Sequence, residues 1–79
     1  MNYPKITLAA ARVNAGYSQK EAAEKLDISN KTLYNYESGE QVPDWEMVHK
    51  IEELYEFPAD FIFFGSALRL KRDRSNKSA

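Results

Sequence analysis

The chain predicts an all-α domain of five short helices, and three observations carry that prediction. Apolar residues recur at i, i+3, i+4 and i+7 spacing, and no strand-like alternation of useful length appears. Residues that start and stop helices stand at intervals, with Ser18, Ser29 and Asp44 before the periodic stretches and Gly16, Gly39 and Gly65 after them. The 79 residues are 43% hydrophobic and contain no cysteine, so a single small core must form without disulfides or thiolate metal sites.

The first helix is expected from Pro4, a residue suited to a first helical position, to Ala15. Leu8, Ala11, Arg12 and Ala15 share one stripe of it, and Gly16 stops it. The second spans Ser18 to Leu26. Ser18 is its N-cap, and Glu21 three residues later completes a capping box. Ala22, Ala23 and Leu26 give this helix a small apolar face. Asp27 takes the turn, because Asp tolerates a left-handed backbone better than most side chains.

Ser29 caps a third helix running to Glu37, with Leu33 and Tyr36 inward and Asn30, Lys31, Tyr34 and Asn35 outward. After Gly39 and a short loop, Pro43 and Asp44 open a fourth helix that ends near Tyr55. Its buried side is expected to be Trp45, Val48, Ile51 and Tyr55, flanked by Met47 and Leu54. Pro58 introduces a last short helix from Ala59 to Phe64. Residues 1–66 thus form the folded domain, and 67–79 a flexible basic tail.

Charge is distributed unevenly. Residues 1–68 hold six Lys/Arg and eleven Asp/Glu, a net of −5, whereas 69–79 hold five Lys/Arg and one Asp, a net of +4. The tail either touches phosphate or is a solvated terminus. No apolar run approaches the roughly 20 residues of a membrane span, and the beginning MNYPK is not of signal-peptide type. A cytoplasmic location is the expectation.

Residues 18–39 are the most informative about function. Two alanines let the second helix cross the third closely, and polar side chains crowd the start of the third. That is the geometry of a helix-turn-helix, in which the second helix of the motif enters the major groove of DNA. An αα-hairpin with a small-residue contact produces the same local pattern, so the motif alone does not decide.

The longer pattern does more. Leu8, Arg12, Gly16, Ser18 and Gln19 are followed by Ala23, Leu26, Ile28, Ser29, Thr32, Leu33, Tyr36, Glu37, Gly39 and Pro43. Ile51, Leu54, Tyr55 and the run from Asp60 to Gly65 complete the set. Over residues 6–65 this resembles the phage repressor/Cro-type helix-turn-helix family of DNA-binding domains. The resemblance implies a compact repressor-like domain that binds a double-stranded DNA operator as a homodimer and regulates transcription.

It also implies roles that the side-chain chemistry supports. Gln19 would bond a phosphate from the start of the second helix. Asn30, Lys31 and Asn35 would read bases, since Asn pairs with adenine N6 and N7 and Lys donates to guanine O6 and N7. Tyr34 either meets a thymine methyl, donates to phosphate, or is simply exposed. Ser29 is first a cap and second a phosphate contact, and Thr32 either reaches phosphate or supports the turn. Arg12 and Glu37 match a family ion pair with a structural role.

Some positions depart from the family pattern. Asp27 stands where Gly is frequent, the loop Glu40-Gln41-Val42 lacks cations, and Pro58 replaces a Ser cap. Residues 17–37 hold three lysines and four carboxylates, so one domain should bind DNA weakly and with a shallow salt slope. Dimerisation would compensate. The segment 57–64 has more aromatic surface than a short helix buries inward. Phe57, Ile62 and Phe64 suit the core, leaving Phe61 and Phe63 as a candidate dimer surface or as residues that lean on the first helix or the tail.

Nothing in the chain suggests catalysis. The lone histidine, His49, has no motif around it, and Glu52, Glu53 and Glu56 are sequential neighbours rather than a convergent pair. No metal-ligand spacing, cofactor loop or small-molecule site is apparent. A protein-interaction adaptor that keeps the fold without binding DNA is the alternative to a regulator.

Overall fold

A computed structural model describes residues 5–64. The order of elements is β1 (Ile6–Thr7), α1 (Leu8–Asn14), α2 (Gln19–Leu26), α3 (Asn30–Ser38), α4 (Trp45–Tyr55), a 3-10 turn (Ala59–Phe61) and β2 (Ile62–Phe63). Four α-helices are therefore present among the described residues, not five.

Local chemistry accounts for the helix ends. The Ser18 hydroxyl accepts from the Glu21 N–H at 3.1 Å, and the Glu21 carboxylate accepts from the Ser18 N–H at 2.9 Å, so the expected capping box is complete. Ser29 caps α3 through the Thr32 N–H at 3.0 Å. Asp44 caps α4 through the Met47 N–H at 2.8 Å. α1 ends at Gly16, which has φ +89°, the left-handed conformation that a glycine adopts without Cβ strain. Asp27 closes α2 at φ 59°, as anticipated for the turn.

The first and last described segments differ from expectation. α1 begins at Leu8 rather than near Pro4, because the Thr7 hydroxyl accepts from the Ala10 N–H at 3.0 Å and caps the helix there. Ile6 and Thr7 are instead extended. They pair in parallel with Ile62 and Phe63, in the register Ile6 with Ile62 and Thr7 with Phe63. The expected fifth helix stops after one 3-10 turn. Pro58 provides no side-chain cap. Ile62 is β-branched, turns extended and is buried against the helices. The Gly65 stop and the basic tail lie outside the described residues.

The core joins the four helices and β2. Leu8 and Ala11 of α1, Ala22, Ala23 and Leu26 of α2, Leu33 and Tyr36 of α3, Ile51 and Tyr55 of α4, and Ile62 of β2 form one buried cluster. Phe57, Phe64, Met47 and Leu54 pack against it. Trp45 does not: it was expected inside and is 76% exposed. The inward stripe of α4 is Met47, Ile51, Leu54 and Tyr55, spaced i, i+4, i+7 and i+8. Trp45 falls off this stripe and sets its indole edge-on to the His49 ring at 4.2 Å.

Candidate nucleic-acid interface

The outer face of α3 follows from how its inner face is used. Leu33 and Tyr36 are buried, and each residue turns the helix by about 100°. Asn30, Tyr34, Lys31 and Asn35 therefore share the opposite arc. Asn30, Lys31 and Tyr34 are exposed and Asn35 is half-buried, so the four side chains form a polar ridge along one side. Asn30 and Lys31 occupy its first turn.

Asn35 is held by the loop beyond the helix. Gly39, at φ 88°, lets the chain reverse. The Gly39 and Gln41 N–H groups both donate to the Asn35 carbonyl, at 3.0 and 3.2 Å, and the Ser38 hydroxyl donates to it at 3.2 Å. The Asn35 side-chain Nδ2 donates in turn to Gln41 Oε1 at 3.3 Å. In the sequence, Gln41 is only one residue of a loop without cations. Its one local signal was its place two residues after Gly39.

The turn side of the motif is fixed by hydroxyls. Ser29 Oγ lies 2.8 Å from Thr32 Oγ1 while accepting from the Thr32 N–H. Both residues thus stabilise the start of α3, whatever else they contact. Glu21 strengthens the neighbouring α2 start. Its carboxylate is held below the usual range by the Ser18 backbone N–H and then by the Ser18 hydroxyl.

Behind this surface, one carboxylate gathers three helices. Arg12 Nε of α1 donates to Glu37 Oε2 at 2.7 Å, Arg12 Nη2 approaches Glu37 Oε1 at 3.5 Å, and Arg12 Nη1 donates to the Tyr17 carbonyl at 3.0 Å. The expected ion pair is therefore formed, with its side chains 14% and 9% exposed. Gln19 joins it, since its Nε2 donates to Glu37 Oε1 at 3.0 Å. Gln19 was read from sequence as a phosphate ligand, and the connection to Glu37 was not foreseen. One amide hydrogen remains on Nε2 beyond the one given to Glu37.

Tyr55 of α4 faces the same network. Its hydroxyl is buried with no hydrogen-bond partner among the described residues. Burial pushes its pKa well above the ordinary tyrosine value, and the Glu37 charge pushes in the same direction. Its ring lies 6.2 Å from that of Tyr17.

Phe61 and Phe63 are both half-buried and lie away from the ridge, in the 3-10 turn and in β2. Among the described residues, the exposed large apolar side chains are instead Val13, Tyr34, Val42 and Trp45. None of the described helices is long and apolar enough to cross a membrane.

Two short capped helices, packed on each other with Ala22 and Ala23 buried and a polar ridge turned outward, define a helix-turn-helix domain. A family model described as "Helix-turn-helix" matches residues 8–62, and the chain belongs to this family, in its repressor/Cro-type form. Over 55 residues the chain is 47% identical to the HTH-type transcriptional regulator ImmR of Bacillus subtilis; the match covers 70% of this chain and 43% of that protein. It is 43% identical over 51 residues to a putative HTH-type transcriptional regulatory protein of Pyrococcus horikoshii, covering 65% of this chain and 16% of that one. A putative HTH-type transcriptional regulatory protein of Thermococcus kodakarensis is 39% identical over 49 residues, covering 62% and 15%. The matched region is thus less than half the length of each of these relatives.

Proposed function

We propose that the chain is a sequence-specific double-stranded DNA-binding regulator of transcription, of a phage, prophage or mobile-element kind, that occupies a promoter operator with α3 in the major groove. The observation that carries the reading is the outward ridge of Asn30, Lys31, Tyr34 and Asn35 on a helix whose inner face is anchored by Leu33 and Tyr36. Amide and ammonium groups in this position match the donors and acceptors on base edges in the groove. Similarity to proteins named as transcriptional regulators supports it.

In this reading Asn30, Lys31 and Asn35 address bases and Tyr34 flanks them. Gln19 presents its remaining amide hydrogen to a phosphate, while Arg12 neutralises the carboxylate behind it. Ser29 and Thr32 line the groove wall as secondary phosphate contacts. Two copies bind a two-fold operator, with half-sites about 10 base pairs apart or a multiple of that. Phe61 and Phe63 are the proposed contact between copies, and residues 1–66 act as the DNA-binding unit.

Binding to random duplex DNA at about 50 and 200 mM salt tests the reading. A salt-sensitive complex is expected, with Asn35→Ala and Lys31→Ala relaxing base preference and Gln19→Ala weakening all sequences alike. No complex at either salt would instead favour a protein-interaction adaptor, a reading that the exposed Val42 and Trp45 support.

A further inference from the structure

We propose that Gln41, outside the recognition helix, is a positioning residue that sets which face of the Asn35 amide meets a base. The proposal rests on the DNA-binding reading above and adds a residue to it. An asparagine amide rotates over a broad, two-fold torsion, and its oxygen and nitrogen ends have nearly the same shape. An unrestrained Asn35 would present a donor or an acceptor at the same point of the groove with similar ease, and would discriminate poorly.

Gln41 limits that ambiguity. Its Oε1 accepts from Asn35 Nδ2 at 3.3 Å. Turning the Asn35 amide over against this acceptor would set two carbonyl oxygens against each other, so it requires the Gln41 amide to turn as well, a paired rotation instead of a single one. With Nδ2 held, Oδ1 and the second N–H remain for the groove, the pair that matches adenine N6 and N7. The loop brings Gln41 there independently of its side chain, because the Gln41 backbone N–H donates to the Asn35 carbonyl at 3.2 Å and Gly39 donates to the same oxygen at 3.0 Å. A side-chain substitution at 41 therefore leaves the loop anchored.

The two substitutions that separate the alternatives are Gln41→Ala, which deletes the acceptor, and Gln41→Glu, which keeps an acceptor and cannot donate in its ionised form. Each is compared with the unaltered chain and with Asn35→Ala by selection from a random duplex pool and by melting temperature. The base pair read by Asn35 is the one whose preference Asn35→Ala abolishes. Gln41→Ala is expected to lower preference at that pair about tenfold, within the range for one good bidentate contact. Preference elsewhere and melting temperature should stay as they were. Gln41→Glu should keep the preference while weakening all sequences together, through an added charge near phosphate.

Unchanged preference in Gln41→Ala, or a loss spread equally over every position, overturns the assignment of Gln41 alone. Absence of any duplex complex from the unaltered chain, or an Asn35→Ala selection identical to it, overturns the DNA reading or the choice of Asn35, and Gln41 falls with them.

Discussion

The helix-turn-helix and the arm formed by β1, the 3-10 turn and β2 are ordered by different means. In the first, nearly every boundary is set by a residue within three or four positions. Ser18 and Glu21 cap each other, Ser29 caps Thr32, and Asp27 and Gly39 turn the chain left-handed. In the second, Ile6 and Ile62 pair although they stand 56 positions apart, and neither segment has a helix signal strong enough to resist. Short-range order suits a surface that must present side chains at fixed spacing before any partner arrives. The arm instead ties the first and last described segments together across the core through Ile62.

Between these two kinds of order stands the Arg12–Glu37 clasp, which joins α1 to α3 and also holds Gln19 of α2. Breaking it should have the largest effect. Glu37→Ala strands a mostly buried guanidinium and leaves the Gln19 amide without its acceptor. A loss of about 3 kcal/mol is expected, at the low end for a buried pair because both side chains retain some solvent contact. Urea denaturation measures it. Replacing Arg12 and Glu37 together by methionine should cost less than either single removal, and a double-mutant cycle that came out additive would contradict the clasp.

Ile62→Ala tests the arm. Deleting a buried isoleucine costs about 2–5 kcal/mol, and the lower half of that range is expected because half-buried Ile6, Phe57 and Phe64 pack against the same cluster and can close over the gap. The informative readout is amide exchange. If the two regions are ordered as described, protection falls most in Thr7 to Ala10 and Phe61 to Phe63, and the amides of α2 and α3 fall only with the global loss of stability. Equal loss of protection in both regions would show that the motif depends on the arm as much as on its own caps.

The same division explains what was legible in the sequence. The capping box, the Ser29 cap, the Asp27 turn, the Gly16 stop and the Leu33–Tyr36 inner face all follow from neighbours in the chain, and all were read from it. The Arg12–Glu37 pair was read only through family resemblance, since nothing local announces a contact across 25 positions. The parallel β1–β2 pair was missed because two residues per strand are too few to show alternation. Thr7 as a cap was masked by Pro4, a plausible helix start three residues earlier. Trp45 was misplaced by assigning the inward stripe of α4 one face too wide. The Gln19–Glu37 and Asn35–Gln41 bonds depend on side-chain rotamers, which residue spacing does not specify.

The smallest expected effect gives a direct comparison of the two regions, because each contains one left-handed residue that is not glycine. Asp27 has φ 59° and ψ 43°, and Glu56, where α4 gives way to the arm, has φ 52° and ψ 47°. Cβ sterics disfavour both, yet Asp is among the residues that tolerate this region through local hydrogen bonding and Glu is not. Glycine at either site relieves the strain while adding freedom to the unfolded chain, so the gains are small. Glu56→Gly should stabilise by about 1 kcal/mol and Asp27→Gly by about half that. At about 4–8 °C per kcal/mol for a domain of this size, the two melting temperatures should separate measurably. The order matters more than the amounts. If Asp27→Gly gains as much as Glu56→Gly, aspartate is no better adapted to the recognition turn than glutamate is to the arm, and the motif loses one of its claims to local specification.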